Sequence, residues 1–194
     1  MPRWIKILAC ALGVAWLASV CFEIAVVPTP SMERTVLVGD HLLVLKLFRA
    51  PKKGSIVSFR APGEPRYTYL KRIVAVAGDC VEIRAGVLFV NKVPERNAFA
   101  QSRVPRVRWL AARVLARDQL FVLGDNRDLS EDSRDFGPIS TSSVVGTPVA
   151  VLWSVRARTA DLVDAHGNLS TRFYIRTLRH FVARTRWSRT GLLL

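Results

Sequence analysis

Val81-Glu82-Ile83-Arg84-Ala85-Gly86-Val87-Leu88-Phe89-Val90-Asn91 decides the fold class of this chain. Val and Ile alternate with Glu and Arg on the first arm, Ala85-Gly86 makes a two-residue break, and an apolar arm returns. That is the pattern of a β-hairpin. Working outward, residues 67–76 read as a strand before it and 120–123 as one after it. Residues 36–47, 56–59 and 144–153 add more, with Gly39-Asp40 and Lys53-Gly54 as breaks. Short Val- and Leu-rich runs between turn signals predict a mainly β domain, an antiparallel sheet folded over into a sandwich or a barrel-like shape. No internal repeat is present.

The two ends differ from this core. Residues 5–27 are the most apolar stretch, and 7–22 carry no charge, with Lys6 and Glu23 at the edges. A bilayer core needs about 20 apolar residues, so 1–27 reads as a single membrane-spanning anchor. Arg3 and Lys6 flank its N-terminal side, which puts the N-terminus in the cytoplasm and the remainder on the outer face of the cell membrane. A cleaved signal peptide has the same basic start and apolar run, but no clean small-residue cleavage site follows this one. Residues 28–155 form the predicted folded domain. Within it, 96–118 read as a short basic insertion with few strand signals. Residues 156–194 form a basic C-terminal region. From 171 onward it holds six arginines and no acid, and Tyr174, Leu178, Phe181 and Val182 have the spacing of a basic amphipathic helix. A frayed basic end fits those residues equally well.

Composition narrows the function classes. The 194 residues carry 29 Lys+Arg against 15 Asp+Glu, a net charge of +14, yet half are apolar, which argues against a disordered basic tail. Three cysteines without a Cys-x-x-Cys pair, and three scattered histidines, suggest neither a disulfide framework nor a metal site, and no cofactor is expected. Cys80 reads as a buried strand residue. The charge invites a nucleic-acid or an anionic-membrane partner. No aromatic-flanked basic motif supports nucleic acid, and the predicted topology places the domain away from it.

Three clusters carry chemistry. His41, His166 and His180 sit in no triad context, so a serine nucleophile here needs another base. Lys71, in Tyr69-Leu70-Lys71-Arg72-Ile73-Val74, shares a strand face with Tyr69 and Ile73. A Lys amine desolvated on such a face loses its charge more readily and can act as general base. Val27-Pro28-Thr29-Pro30-Ser31-Met32 follows the apolar segment, and its prolines stiffen the backbone that presents Ser31. Gly124-Asp125-Asn126-Arg127, with Ser130-Glu131-Asp132-Ser133-Arg134, is a polar loop in which Asp132 and Arg134 are spaced to pair.

Taken in order, these clusters resemble the type I signal peptidases, membrane-bound Ser/Lys proteases. The likeness also takes in Val38-Gly39-Asp40-His41-Leu42-Leu43-Val44, Gly78-Asp79 and Gly86–Asn91, and runs from about residue 5 to Trp153. The resemblance implies Ser31 as nucleophile and Lys71 as general base, with Thr29 and the Ser31 amide forming the oxyanion hole. Ser130 would hydrogen-bond the Lys71 amine, and Asp132 and Arg134 would support the site. Met32 and Leu70 would border a shallow apolar cleft for small side chains. The implied activity is removal of N-terminal signal peptides from exported preproteins after Ala-x-Ala sites, with preproteins and the bilayer as partners. Arg34 stands where the family usually has Pro, Thr29 where Ser is commoner, Ala75 and Ala77 where Gly and Pro are usual, and Lys92 where Gly is common. These departures leave room for a maturation peptidase with a narrow substrate set. The other class of reading is a non-catalytic basic protein bound to membrane surfaces. Residues 1–27 hold only Arg3, Lys6 and Glu23, so 27 of the 29 basic residues lie beyond the anchor. That surplus suits anionic headgroups.

Overall fold

The computed structural model describes residues 2–46, 52–95, 107–163, 170 and 185–194. Helix α1 (Arg3–Cys21) leads into β1 (Phe22–Val26), β2 (Asp40–Leu45), β3 (Ile56–Ala61) and the long β4 (Glu64–Ala75). Strands β5 (Cys80–Arg84), β6 (Val87–Val90), β7 (Val93–Pro94), β8 (Leu110–Val114) and β9 (Gln119–Leu123) follow. The chain continues through α2 (Ser133–Phe136), β10 (Ile139–Ser140), β11 (Val144–Ser154), α3 (Thr159–Leu162) and β12 (Leu192–Leu193).

All strand pairings are antiparallel among the described residues, in two sheets. The larger runs β1-β2-β11-β3-β4-β9-β10 with β12 beside β11, and the smaller runs β7-β6-β5-β8. The hairpin pairs Val81 with Val90 and Arg84 with Val87. Its turn residues Ala85 and Gly86 have φ of 49° and 83°, the two positive values that match the twist of the flanking strands. The alternating residues of β4 separate its two faces. Ile73 packs with Val57, Phe59, Leu120 and Val122 in one core cluster, while Leu70 lies against another built on Val27, Met32, Val36, Leu42 and Ile56.

Three sequence expectations change. The apolar segment read as 5–27 is two elements. Helix α1 has 19 residues, about 28 Å at 1.5 Å per residue, and is the described helix long and apolar enough to cross a membrane. From Phe22 the chain pairs with β2, Phe22 opposite Leu45 and Val26 opposite His41. Hydrophobicity alone does not separate a helix from the strand that continues it. Lys46 Nζ donates to the Ser19 carbonyl at 3.1 Å, placing a cation at the helix C-terminus, where the helix dipole favours one. Secondly, the segment read as a basic insertion contains β8, which pairs with β5 from Cys80↔Val114 to Ile83↔Leu110. β8 is an edge strand exposed at four of its five positions, and Arg113 within it masks the strand pattern. Residues 96–106, and the helix expected from Tyr174 to Val182, lie outside the described residues. Thirdly, Cys80 is half-buried on β5. His41 is buried and stacked on Trp153 at 4.4 Å between ring centroids, a packing role.

Candidate active site

Ser31 sits in a single 3-10 turn, Pro30–Met32, preceded by the extended Thr29. The fixed φ of Pro30 suits the first position of such a turn, and its missing N–H would have no partner there. The Glu33 amide closes the turn on the Pro30 carbonyl at 3.0 Å. The Ser31 carbonyl accepts from the Asn126 amide at 3.1 Å, which ties the turn to the polar loop after β9. Gly124 makes that approach feasible. A Cβ there would lie 2.5 Å from the Ser31 carbonyl oxygen and would strike the Ser130 hydroxyl.

Lys71 reaches this turn from β4, opposite Val57 of β3. Its Nζ donates to Ser31 Oγ at 3.0 Å, and Thr29 Oγ1 lies 3.3 Å from the same oxygen. The Lys71 side chain is buried, with the residue 4% exposed, and its amine stands 5.3 Å from the centre of the Tyr69 ring. Burial pushes its pKa from 10.5 down to about 8. The negative charges of Asp132 and then Glu131 oppose that fall, and Arg134 adds to it. About one Lys71 in ten is therefore neutral at pH 7 and half at pH 8. A neutral amine on a serine hydroxyl can take its proton.

Asp132 is fully buried and caps α2. Burial works against its charge, but the Arg134 fork outweighs it, with Nε at 2.8 Å and Nη2 at 2.9 Å, helped by the Gly124 amide at 3.0 Å. The carboxyl is held below the usual range. Arg134 also donates to the Arg127 carbonyl at 2.6 Å. Ser130 is completely enclosed, and its hydroxyl supports the Asp132 charge. The sequence reading gave that hydroxyl to the Lys71 amine, and in the structure it also lies beside the Asp132 carboxylate. Met32 departs from its expected place on an open cleft. It is 1% exposed and packs among Val27, Val36, Leu42 and Ile56. Leu70, half-buried, packs on the same cluster.

Sequence reasoning missed a second layer. Arg72 donates Nε and Nη2 to the buried Asp125 carboxylate at 2.8 and 2.6 Å. Thr35 Oγ1 donates to Asp125 at 2.7 Å and accepts from Arg72 at 3.1 Å. Arg72 and Asp125 stand beside Lys71 and Gly124 in the recognised segments, so their positions were visible but their pairing was not. Among the described residues no group of three or more His, Cys, Asp or Glu gathers as a metal site.

An antiparallel β protein that buries a lysine amine against a serine hydroxyl, behind an N-terminal apolar helix, has the makings of a Ser/Lys hydrolase. A family model described as "Signal peptidase, peptidase S26" matches residues 1–153. Thylakoidal processing peptidase 1, chloroplastic, of Arabidopsis thaliana is 36% identical over 140 residues, covering 66% of this chain and 41% of that one. A signal peptidase I of Leptolyngbya laminosa is 31% identical over 144 residues, covering 69% of this chain and 70% of that one. A crystal structure of a signal peptidase I from Enterococcus faecalis V583 is 25% identical, with a TM-score of 0.44, over 52% of this chain and 97% of that one. The chain belongs to the signal peptidase, peptidase S26 family. It spans about two fifths of the length of the Arabidopsis thylakoidal peptidases it matches.

Proposed function

We propose that this protein is a membrane-anchored serine endopeptidase that removes N-terminal signal peptides from exported preproteins, cutting after Ala-x-Ala sites. One observation carries the reading: the buried Lys71 amine donates to Ser31 Oγ at 3.0 Å with a pKa near 8. Family membership supports it. Neutral Lys71 takes the Ser31 proton as Oγ attacks the scissile carbonyl. The oxyanion is met by the Thr29 hydroxyl and the Ser31 amide, fixed donors worth about 3 kcal/mol each in such sites. Protonated Lys71 then gives its proton to the leaving amine, and the bond to Ser31 remains as an acyl-enzyme. Neutral again, Lys71 activates the water that releases the acyl group. Ser130, Asp132 and Arg134 hold the base in place, and Leu70, above the buried Met32, faces the small side chains of the substrate.

In this reading helix α1 anchors the chain with the N-terminus in the cytoplasm, the strands from Phe22 to residue 155 form the peptidase on the outer face of the inner membrane, and 156–194 form a basic C-terminal region whose last strand, β12, joins the same sheet. The likeness to a thylakoidal processing peptidase favours a second version, a maturation peptidase for a narrow set of substrates. Full-length protein in detergent, incubated with a preprotein ending its signal in Ala-x-Ala, tests the main reading. Cleavage after the last Ala is expected, and Ser31→Ala and Lys71→Ala should abolish it in folded protein. Wild-type cleavage by either variant would overturn the assignment. Cleavage of only a few natural preproteins would select the narrow version.

A further inference from the structure

Arg189 lies beyond the residues matched by the family model, yet it reaches the loop that follows Ser31. We infer that Arg189 is a positioning residue for the nucleophile, and that the segment 185–194 is the strap that carries it. This inference rests on the Ser31/Lys71 reading above.

The strap is seated by backbone hydrogen bonds along β11. Thr185 bridges Val155, the Arg186 amide donates to Ser154 at 2.6 Å, and the Gly191 amide donates to Val151 at 2.8 Å. One 3-10 turn, Trp187–Arg189, then aims the guanidinium inward. Its Nη2 donates to Asp40 Oδ2 at 2.6 Å and to the Thr35 carbonyl at 2.9 Å, while Nε lies 3.2 Å from Asp40 Oδ1. Asp40 is fully buried and also accepts from Ser154 Oγ and from the Leu37 amide. Arg186 adds a bond to the Val38 carbonyl at 3.0 Å. Thr35, Val38 and Asp40 are thus all held by two arginines of the strap.

Those residues frame the nucleophile. The Val36 amide closes on the Met32 carbonyl at 2.9 Å. Thr35 passes the contact to Asp125, and the neighbouring Asn126 amide holds the Ser31 carbonyl. Between Ser31 and Thr35 stands Arg34 with φ of 88°, a left-handed conformation that a non-Gly residue keeps only where both flanks are fixed. The Ser31 turn fixes one flank and Arg189 the other. A ligand role for Arg189 is disfavoured by its neighbours. It shares a cleft with Arg34, Lys52, Lys53 and Arg72, but Lys53 is committed to Asp79, Arg72 to Asp125 and Arg189 itself to Asp40.

The test compares full-length wild type, Arg189→Ala and Arg189→Lys in detergent. A Lys ammonium neutralises Asp40 but cannot fork between Asp40 and the Thr35 carbonyl. Arg189→Ala should lower kcat about tenfold or more with KM within about twofold, since a small misplacement of a reacting atom is felt in the rate. Arg189→Lys should recover the melting temperature and leave kcat at least about fivefold down. If Arg189→Ala does not fold, Arg189→Lys carries the comparison. Wild-type kcat in folded Arg189→Lys, or a loss confined to KM, would overturn the inference. Hydrogen exchange gives a readout independent of activity. The Val36 and Asn126 amides should exchange faster in Arg189→Lys, and equal protection would overturn the strap. An inactive wild type with faster exchange in the variant would sink only the peptidase reading.

Discussion

Replacing Lys71 with Met should stabilise the folded protein at neutral pH while abolishing catalysis. In the unfolded chain the amine keeps its proton up to pH 10.5; in the fold it keeps it only up to about 8. Below pH 8 both states are protonated, and the fold carries the full penalty of a buried charge. At about 1.4 kcal/mol per pH unit, the gap is worth about 3 kcal/mol. Between about pH 8 and 10.5 the unfolded state binds more protons, so wild-type stability rises with pH across that window and the penalty is gone above it. Met has a similar length and no charge, but it gives up the hydrogen bond to Ser31, a loss of about 1 kcal/mol. The net gain at pH 7 is about 2 kcal/mol, or about 4–8 °C in melting temperature for a chain of this size. The assay is thermal unfolding of full-length wild type and Lys71→Met in detergent at pH 7 and pH 10.5. Comparing the pair isolates Lys71 from every other group that titrates. A variant no more stable than wild type at pH 7, or an advantage that persists unchanged at pH 10.5, would refute the reasoning.

Glu131 is exposed and its charge raises the Lys71 pKa, so Glu131→Gln should move the rising limb of kcat/KM against pH, centred near pH 8 in wild type, to lower pH. A limb that stays put or moves up would count against the electrostatic account. Gly124→Ala should cost about 2 kcal/mol and at least about tenfold in kcat, because the added Cβ meets the Ser31 carbonyl and the Ser130 hydroxyl; near-normal kinetics would mean that the loop gives way there. Arg34→Gly should raise stability by about 0.5–1 kcal/mol, the strain at φ 88° relieved less the added freedom of Gly in the unfolded chain, and a lower melting temperature would contradict that.

The β framework was legible because its signals are local. Val81–Arg84 and Val87–Val90 alternate or run apolar around a turn whose residues accept positive φ, and β4 separates its faces residue by residue. Phe22–Val26 was not legible as a strand, since an apolar helix runs straight into it and only the partner strand β2 distinguishes them. β8 was hidden by Arg113 and its exposed neighbours, which suit an edge of the small sheet but read as loop. At the site, order along the chain pointed to Thr29, Ser31 and Lys71, and the fold brings Thr29 and Lys71 to within 3.3 Å of the Ser31 hydroxyl oxygen. The Arg72–Asp125 and Arg189–Asp40 pairs span 53 and 149 residues, and no local spacing rule links such positions. Met32 shows the same. The resemblance placed it on a cleft, whereas its burial among Val27, Val36, Leu42 and Ile56 depends on strands remote in the chain.

The buried charges of this protein are arranged so that Lys71 can lose its own. Asp132 is the carboxylate with the largest hold on the Lys71 proton, and a carboxylate free to pair with the amine would keep it charged and useless as a base. Arg134 occupies that carboxylate through two bonds from its guanidinium, and the Gly124 amide takes a third position on it. Asp125 is occupied by Arg72 and Asp40 by Arg189 in the same forked manner. A fork satisfies two carboxylate oxygens at once and leaves little electrostatic demand for a further cation. Lys71 is left facing a hydroxyl and an aromatic ring, neither of which outweighs its burial. The Arg134–Asp132 pair therefore does more than brace the loop: Arg134 offsets the nearest negative charge and lets burial bring the amine's pKa down to about 8, which helps it take a proton from Ser31.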